Sequence, residues 1–233
     1  MQHINPKNNV KTLANLLNAH KYLRIENFLE DEFAHQLYTC LNQDVPWGIA
    51  CRLDGEPQTF LDCDDLKDLP KKHREKFKKQ INQPFQFIYG TYMMVTAYIE
   101  RRHPELLLNS VLEWLNTPAT IQYFRQLTQN DAVIKINAQA TRYTSGQFLT
   151  QHNDEHHEEG RLYAYVIGLS KDWNPDWGGL LHILDEKGHI VKTLIPQYNS
   201  LSIFKVPQNH FVSYVTPFAQ NPRLSITGWL LAK

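Results

Sequence analysis

The sequence predicts an α+β chain with a mainly β core, a sandwich or jelly-roll barrel on which N-terminal helices pack. Two observations predict it. From Val10 to about Asn130 apolar residues recur at helical spacing, whereas after Asn130 the segments are short, alternating and punctuated by Gly, Pro, Asn and Asp. No repeat, low-complexity stretch or Ser/Gly linker divides these textures. Residues 1–233 are therefore expected to form a single domain, with 1–130 a mostly helical support and 131–233 the β core that carries the site.

The elements follow in order. VKTLANLLNAH has helical apolar spacing and good helix formers; YLRIENFL reads as a short strand and turn. EDEFAHQLYTCLNQ is an amphipathic helix with Phe33, Leu37, Cys40 and Leu41 on one side. DLPKKHREKFKKQINQ is a charged helix beginning near Pro70, where proline suits a first turn. ELLLNSVLEWLNTPATIQYFRQLTQ makes two helices, broken at Asn116, Thr117 and Pro118, with Thr117 as N-cap of the second. The strands are AVIKINAQATRYTSG, RLYAYVIGLS, GGLLHILDEKGHIVKTLI, NSLSIFKV, HFVSYV and RLSITGWLLA, with DEKGH a hairpin turn.

Composition excludes several classes. Lys+Arg and Asp+Glu balance at 24 each, so no global charge points to nucleic acid or an anionic membrane. No apolar run reaches the length of a membrane span, and the N-terminus lacks the pattern of a signal peptide. The three cysteines, Cys40, Cys51 and Cys63, have no CxxC spacing; they read as reduced thiols of a cytoplasmic protein. The basic run KKHREKFKK, residues 71–79, is read as the solvated face of its helix rather than a docking site for an acidic partner. Tyr89, Tyr92 and Tyr98 suit either a substrate groove or core packing.

The chemistry concentrates in FLTQHNDEHHEEG. His152 and Asp154, one residue apart, share a face if the strand persists, while His156, His157, Glu158 and Glu159 read as an exposed loop. An HxD pair alone is weak; a metal site needs a third ligand from a distant strand, and His182, His189 and His210 are the candidates. His189 sits beside the hairpin turn, His182 lies within a strand and can face either way, and His210 opens a late strand after a turn. Two imidazoles and one carboxylate leave coordination positions open, as suits non-haem Fe(II) and oxygen chemistry. A 2-oxo acid in those positions needs a cation for its far carboxylate. Arg223 suits it, sharing one strand face with Ser225, Thr227 and Trp229, and Thr227 can add a hydroxyl donor.

RYTSGQFLTQHND, GRLYAYVIGLSKDWNPDWGGLLHI, PQYNSLSIFKVPQNHFVSYV and RLSITGWL, in this order, resemble the Fe(II)/2-oxoglutarate dioxygenases of the prolyl-hydroxylase superfamily, and most of all the catalytic domain of the ribosomal-protein prolyl hydroxylases. LNTPATIQYFRQLTQND resembles the helical lead-in of that group, and YLRIENFLEDEFAHQL its N-terminal strand and helix. The resemblance implies a double-stranded β-helix, the cupin-like jelly roll. It implies His152, Asp154 and His210 as iron ligands, Arg223 and Tyr143 as partners of the far carboxylate of 2-oxoglutarate, and Thr227 as pocket lining. Arg161 and Trp229 become candidates for the substrate side. The implied reaction consumes 2-oxoglutarate and O2, hydroxylates a prolyl residue of a protein of the translation apparatus, releases succinate and CO2, and uses ascorbate to restore stalled iron. One departure stands out: similar proteins often carry a tyrosine where this chain has Gly168, which implies a lost hydroxyl and gained space. Tyr163 and Tyr165 have the opposite parity and do not replace it. A hydroxylase of free amino acids or other small molecules, a nucleic-acid oxygenase and a non-catalytic binding module that kept the fold are the alternatives. Neutral charge weighs against the second, and the intact ligand set against the third.

Overall fold

The structure is a computed structural model that describes residues 3–52, 58–63, 68–69, 71–80 and 85–233. The described residues contain six α-helices: α1 (Val10–His20), α2 (Asp31–Gln43), α3 (Lys71–Gln80), α4 (Met94–Ile99), α5 (Leu107–Leu115) and α6 (Pro118–Thr128). The early strands are β1 (Tyr22–Glu26), β2 (Gly48–Cys51), β3 (Thr59–Leu61) and β4 (Phe87–Tyr92). The later ones are β5 (Lys135–Ile136), β6 (Gln139–Tyr143), β7 (Phe148–His152), β8 (Arg161–Leu169), β9 (Leu181–Leu184), β10 (Ile190–Leu194), β11 (Tyr198–Lys205), β12 (His210–Val212) and β13 (Arg223–Leu231). They make one curled sheet in the order β1-β11-β8-β13-β6-β4-β7-β12-β9-β10, with β2, β3 and β5 attached at its side.

Strand parity divides the sheet into two faces. Along β8, Tyr163, Tyr165, Ile167 and Leu169 pack with Leu201 and Ile203 of β11 and Leu224 and Ile226 of β13 into the cluster shared with the helices. Phe33, Leu37 and Leu41 of α2, Leu108 and Leu115 of α5, and Phe124 and Leu127 of α6 complete that layer. The opposite face carries Ala164, Phe204, Tyr143, Tyr89 and Phe87 around a cavity. Where both faces are covered, as along β8, the strand reads as a nearly continuous apolar run, whereas β11 and β13 keep the alternation of Ser200, Ser202 and Ser225 with apolar neighbours.

Local signals set the helix ends. Thr117 Oγ1 accepts from the Thr120 amide, with Pro118 in the first turn, so α5 and α6 break where proline and the cap require. Asn9 caps α1 by accepting from the Thr12 amide. The DEKGH turn joins β9 to β10: Asp185 Oδ1 accepts from the amides of Lys187 and His189, and Gly188 takes φ +84°.

Residues 1–130 hold all six helices, yet they also give strands to the sheet. β1 and β4 lie within the sheet order, and β2 and β3 extend it beside β4. The six residues of β4 are all buried, so its sequence FIYGTY has no polar alternation to reveal a strand. The expected start of α3 at Pro70 and its continuation beyond Gln80 lie outside the described residues. Lys71, Lys72, Glu75 and Lys79 of α3 are exposed, as a solvated face requires. Tyr92 is buried in the helix-side cluster and Tyr98 donates to Glu113 on the surface, so of the three early tyrosines Tyr89 alone reaches the cavity.

Candidate metal centre and acid-binding cavity

Two cross-strand pairs assemble the site. β12 lies against β7 with His210 directly opposite His152, and β13 lies against β6 with Arg223 directly opposite Tyr143. Facing residues of neighbouring strands hold their Cβ atoms about 5 Å apart, so each pairing puts two distant sequence motifs in contact. The imidazole centroids of His152 and His210 are 4.1 Å apart.

Asp154 reaches the same point by another route. β7 ends at His152, and Asp154 has φ +62°, in the left-handed region. The strand parity expected of HxD therefore does not operate; a turn swings the carboxylate back under the imidazoles. Asp154 Oδ1 is 3.4 Å from His152 Nε2, and Oδ2 is 3.5 Å from His210 Nε2. One ligand atom from each residue lies within 4.8 Å of the others.

The far nitrogens fix the tautomers. His152 Nδ1 is 2.9 Å from the Thr150 carbonyl and His210 Nδ1 is 2.7 Å from the Gln208 carbonyl. A carbonyl only accepts, so Nδ1 carries the proton and the Nε2 lone pair faces Asp154. Burial holds His210 neutral, lowering its pKa to about 4, and the neighbouring His152 acts in the same direction. Burial pushes the Asp154 carboxyl up, but His152 and then His210, once they carry a second proton at Nε2, outweigh burial and bring it to about 2. Two neutral imidazoles and a carboxylate with converging lone pairs fit a divalent iron that keeps positions open to other ligands.

The cavity around these ligands has a volume of about 550 Å³ and extends to Arg223. Arg223 is 6% exposed, and its Nη1 has no hydrogen-bond partner. Its Cζ stands 4.8 Å over the Tyr143 ring, which stacks on Tyr89 at 5.1 Å and 21°. Burial lowers the Arg223 pKa and raises those of both tyrosines, Tyr89 to about 12, so the phenols stay protonated. An unpaired buried guanidinium is costly, and a carboxylate that accepts two hydrogen bonds from it removes the cost. The orphaned Nη1 is thus what a bound 2-oxo acid would satisfy.

The remaining predicted residues divide. Thr227 lines the cavity, but its Oγ1 donates to the Tyr165 carbonyl at 2.8 Å, so its hydroxyl is committed to the backbone and is no donor for the acid. Arg161 Cζ lies 3.6 Å over the Trp229 ring, and its Nε donates to Glu159 Oε2 at 2.8 Å. Its Nη1 donates to the Asp154 carbonyl at 3.3 Å, so Arg161 ties the left-handed turn to β8. Trp229 Nε1 is buried near Asp154 without a formed hydrogen bond. Glu159, expected to be exposed with its neighbours, is drawn inward by Arg161. Gly168 leaves no spare room: a Cβ there would lie 2.5 Å from the Gln197 carbonyl oxygen and 2.7 Å from Ser200 Oγ. Tyr163 and Tyr165 face the helices, as their parity requires. His182 stacks on Phe211 and bonds Thr193 Oγ1, and His189 pairs with Asp185 in the hairpin turn; neither reaches the metal ligands. The carbonyls of Thr150 and Gln208, which orient both imidazoles, carry no signal in the side-chain sequence.

A curled antiparallel sheet that gathers two histidines and an aspartate in the wall of a cavity, with a buried arginine in the same wall, suits a divalent metal beside a ligand that carries a carboxylate. Residues 138–231 match the family model of the 2OG-Fe(II) oxygenase superfamily, and the chain carries an oxygenase domain of that superfamily. It is homologous to the mouse protein named prolyl 3-hydroxylase OGFOD1, 38% identical over 196 residues, which cover 77% of this chain and 34% of that protein. The Xenopus laevis protein of the same name is 32% identical over 115 residues, 46% of this chain and 22% of its own. The chain thus spans about a third of the length of the mouse relative. A Pseudomonas putida prolyl-4-hydroxylase superposes with a TM-score of 0.61 at 16% identity, covering 96% of this chain and 99% of its own. A Burkholderia pseudomallei 2OG-Fe(II) oxygenase superposes with a TM-score of 0.66 at 13% identity, covering 100% and 94%. These two likenesses concern the fold, the double-stranded β-helix that the sequence resemblance implies.

Proposed function

We propose that this chain is a dioxygenase that uses Fe(II), 2-oxoglutarate and O2 to hydroxylate a prolyl residue of a protein substrate, releasing succinate and CO2. The observation that carries it is the meeting, in one cavity, of the His152, Asp154 and His210 ligand atoms with the unpartnered guanidinium of Arg223. Iron with its 2-oxo acid supplies the oxidising power that puts one oxygen atom into a C–H bond. The chain supplies placement. His152, Asp154 and His210 hold the ion; the Thr150 and Gln208 carbonyls keep both imidazoles turned to it. Arg223 takes the far carboxylate of 2-oxoglutarate, and Tyr143 packs against that guanidinium. Phe87, Leu149 and Phe204 exclude water from the cavity wall.

Arg161 and Trp229 line the same cavity and form its substrate side. The name of the mouse relative supports position 3 of the proline ring. The sequence resemblance to ribosomal-protein prolyl hydroxylases supports a substrate within the translation apparatus. Ascorbate belongs to this reading as the reductant of stalled iron, and three cysteines without a disulfide support a cytoplasmic setting. Among the described residues no helix is long and apolar enough to cross a membrane.

Mass spectrometry tests the proposal. Translation-apparatus proteins incubated with the chain, Fe(II) and 2-oxoglutarate should gain one oxygen on a defined proline, and should not gain it with Asp154→Ala. Turnover of free proline without any protein product would move the activity to small molecules.

A further inference from the structure

Two arginines on the cavity side of the sheet, Arg24 and Arg223, line one small cavity with no carboxylate among the described residues of its wall. Arg24 lies on β1 directly opposite Ser202 of β11. Its Nε and Nη2 donate to Ser202 Oγ at 3.2 and 3.0 Å, and its Nη1 donates to the Ile195 carbonyl and to Gln197 Oε1. Every one of these partners is uncharged. A small cavity is lined by both Arg24 and Arg223, together with Ser170, Ser200, Ser202 and Ser225, and no Asp or Glu is in its wall.

The sheet register explains the arrangement. Ser200 of β11 faces Gly168 of β8, and Gly168 faces Ser225 of β13. Three of the smallest side chains therefore sit side by side and leave a trough across three strands. Arg24 enters it from the β1 side and Arg223 from β13. The absent side chain at 168 lets the Gln197 backbone close on the trough, where Gln197 also holds Arg24. The two cations oppose each other: burial lowers the Arg24 pKa to about 10, Arg223 adds to the fall, and Glu26 offsets part of it. Arg223, whose Nη1 is unpartnered, also lines the larger cavity.

We propose that Arg24 is a positioning residue for the co-substrate: from the small cavity it shares with Arg223 it adds a second positive charge beside the guanidinium that lines the large one, and so selects a 2-oxo acid with a far carboxylate over a 2-oxo monoacid. This rests on the oxygenase reading above. A neutral residue at 24 leaves Arg223 to bind alone, and the loss falls on dicarboxylates because only they carry charge to that guanidinium.

The test is calorimetry on the full chain loaded with Mn(II) under argon, titrated with 2-oxoglutarate and, separately, with pyruvate, with circular dichroism to follow folding. Arg24→Gln should lose roughly tenfold in 2-oxoglutarate affinity and keep its affinities for pyruvate and Mn(II). Arg24→Lys, which retains the charge, should keep the ratio of 2-oxoglutarate to pyruvate affinity within about twofold of the unmodified chain. An unchanged ratio in Arg24→Gln overturns the proposal, as does an equal loss of both acids, which would mean a structural role alone. If Arg24→Gln does not fold, Arg24→Lys decides: a ratio kept supports the charge, and a ratio lost overturns it. An unmodified chain that binds Mn(II) but not 2-oxoglutarate brings down the oxygenase reading itself. Binding by the unmodified chain with no change in Arg24→Gln removes only the role of Arg24.

Discussion

Asp154 shows how much a single backbone angle contributes. At φ +62° it occupies a region that costs most side chains about 1 kcal/mol or more and that Asp tolerates best after Asn and Gly. The Arg161 bond to its carbonyl helps hold that turn, and the carboxylate then faces both imidazoles. Under anaerobic conditions, Fe(II) and 2-oxoglutarate together should raise the melting temperature more than either alone, and His152→Ala or Asp154→Ala should abolish that joint effect. An unchanged response in these variants would refute the ligand assignment. Arg223→Ala should weaken 2-oxoglutarate at least tenfold and spare metal affinity, read by the same calorimetry; equal co-substrate affinity would assign the pairing to another cation. The HxD spacing made two of the ligands visible in the sequence, but the geometry behind it is a turn, not strand parity. The hydroxyl role expected of Thr227 fails because the Tyr165 carbonyl reaches it first. No sequence pattern says which backbone oxygen will lie nearest a side chain.

At the scale of elements, helices were easier to read than strands. The Thr117 cap, the Pro118 first turn and the apolar faces of α2, α5 and α6 are local signals, set within a few residues. Phe124 is fully buried between α6 and the sheet, so Phe124→Ala should cost about 3–5 kcal/mol in urea unfolding while leaving the metal affinity of the folded chain intact. Buried β4 escaped notice because side chains cover both of its faces, Phe87 and Tyr89 packing in the cavity-side cluster and Ile88 with Ile49, Cys51 and Phe148 on the other side, and a strand covered on both sides loses its alternation. Thiol reactivity reports the same layering. Burial raises Cys40 and Cys51 to about 11, so at pH 8 both stay protonated and attack slowly. Iodoacetamide at pH 8 should label the half-buried Cys63 first, and equal rates at all three would contradict the packing around β2 and α2.

For the whole molecule, the buried site links folding to pH. The pKa of His210 is about 4 in the folded chain, below the ordinary 6.5, so between those values the unfolded chain takes up a proton that the folded chain refuses. Stability of the metal-free protein should therefore fall on acidification from about pH 6.5 to about pH 4, on the order of 3 kcal/mol in all. Asp154 works in a lower window: its folded pKa of about 2 contributes stability that is present above its ordinary 3.8 and lost as the pH falls through 2. Urea unfolding of the metal-free chain at pH 7.5 and pH 5 checks this. A midpoint that does not drop at pH 5 would mean that His210 is not held neutral by burial.

The sequence by itself determined the chemistry on offer: the HxD pair, a late histidine, an arginine among apolar strand residues, and helices with legible caps. These are decided by residue type and short spacing, which local physics reads directly. Spacing alone left His182, His189 and His210 open and the order of motifs singled out His210; the tertiary structure supplies the physical reason, because strand register, a pairing between residues 58 positions apart, puts that imidazole opposite His152 and turns the neighbouring face outward. It also decided the fate of Gly168 and Arg24. Whether a missing side chain means open space depends on what other segments bring to the same place, and here they bring the Gln197 backbone and a second guanidinium.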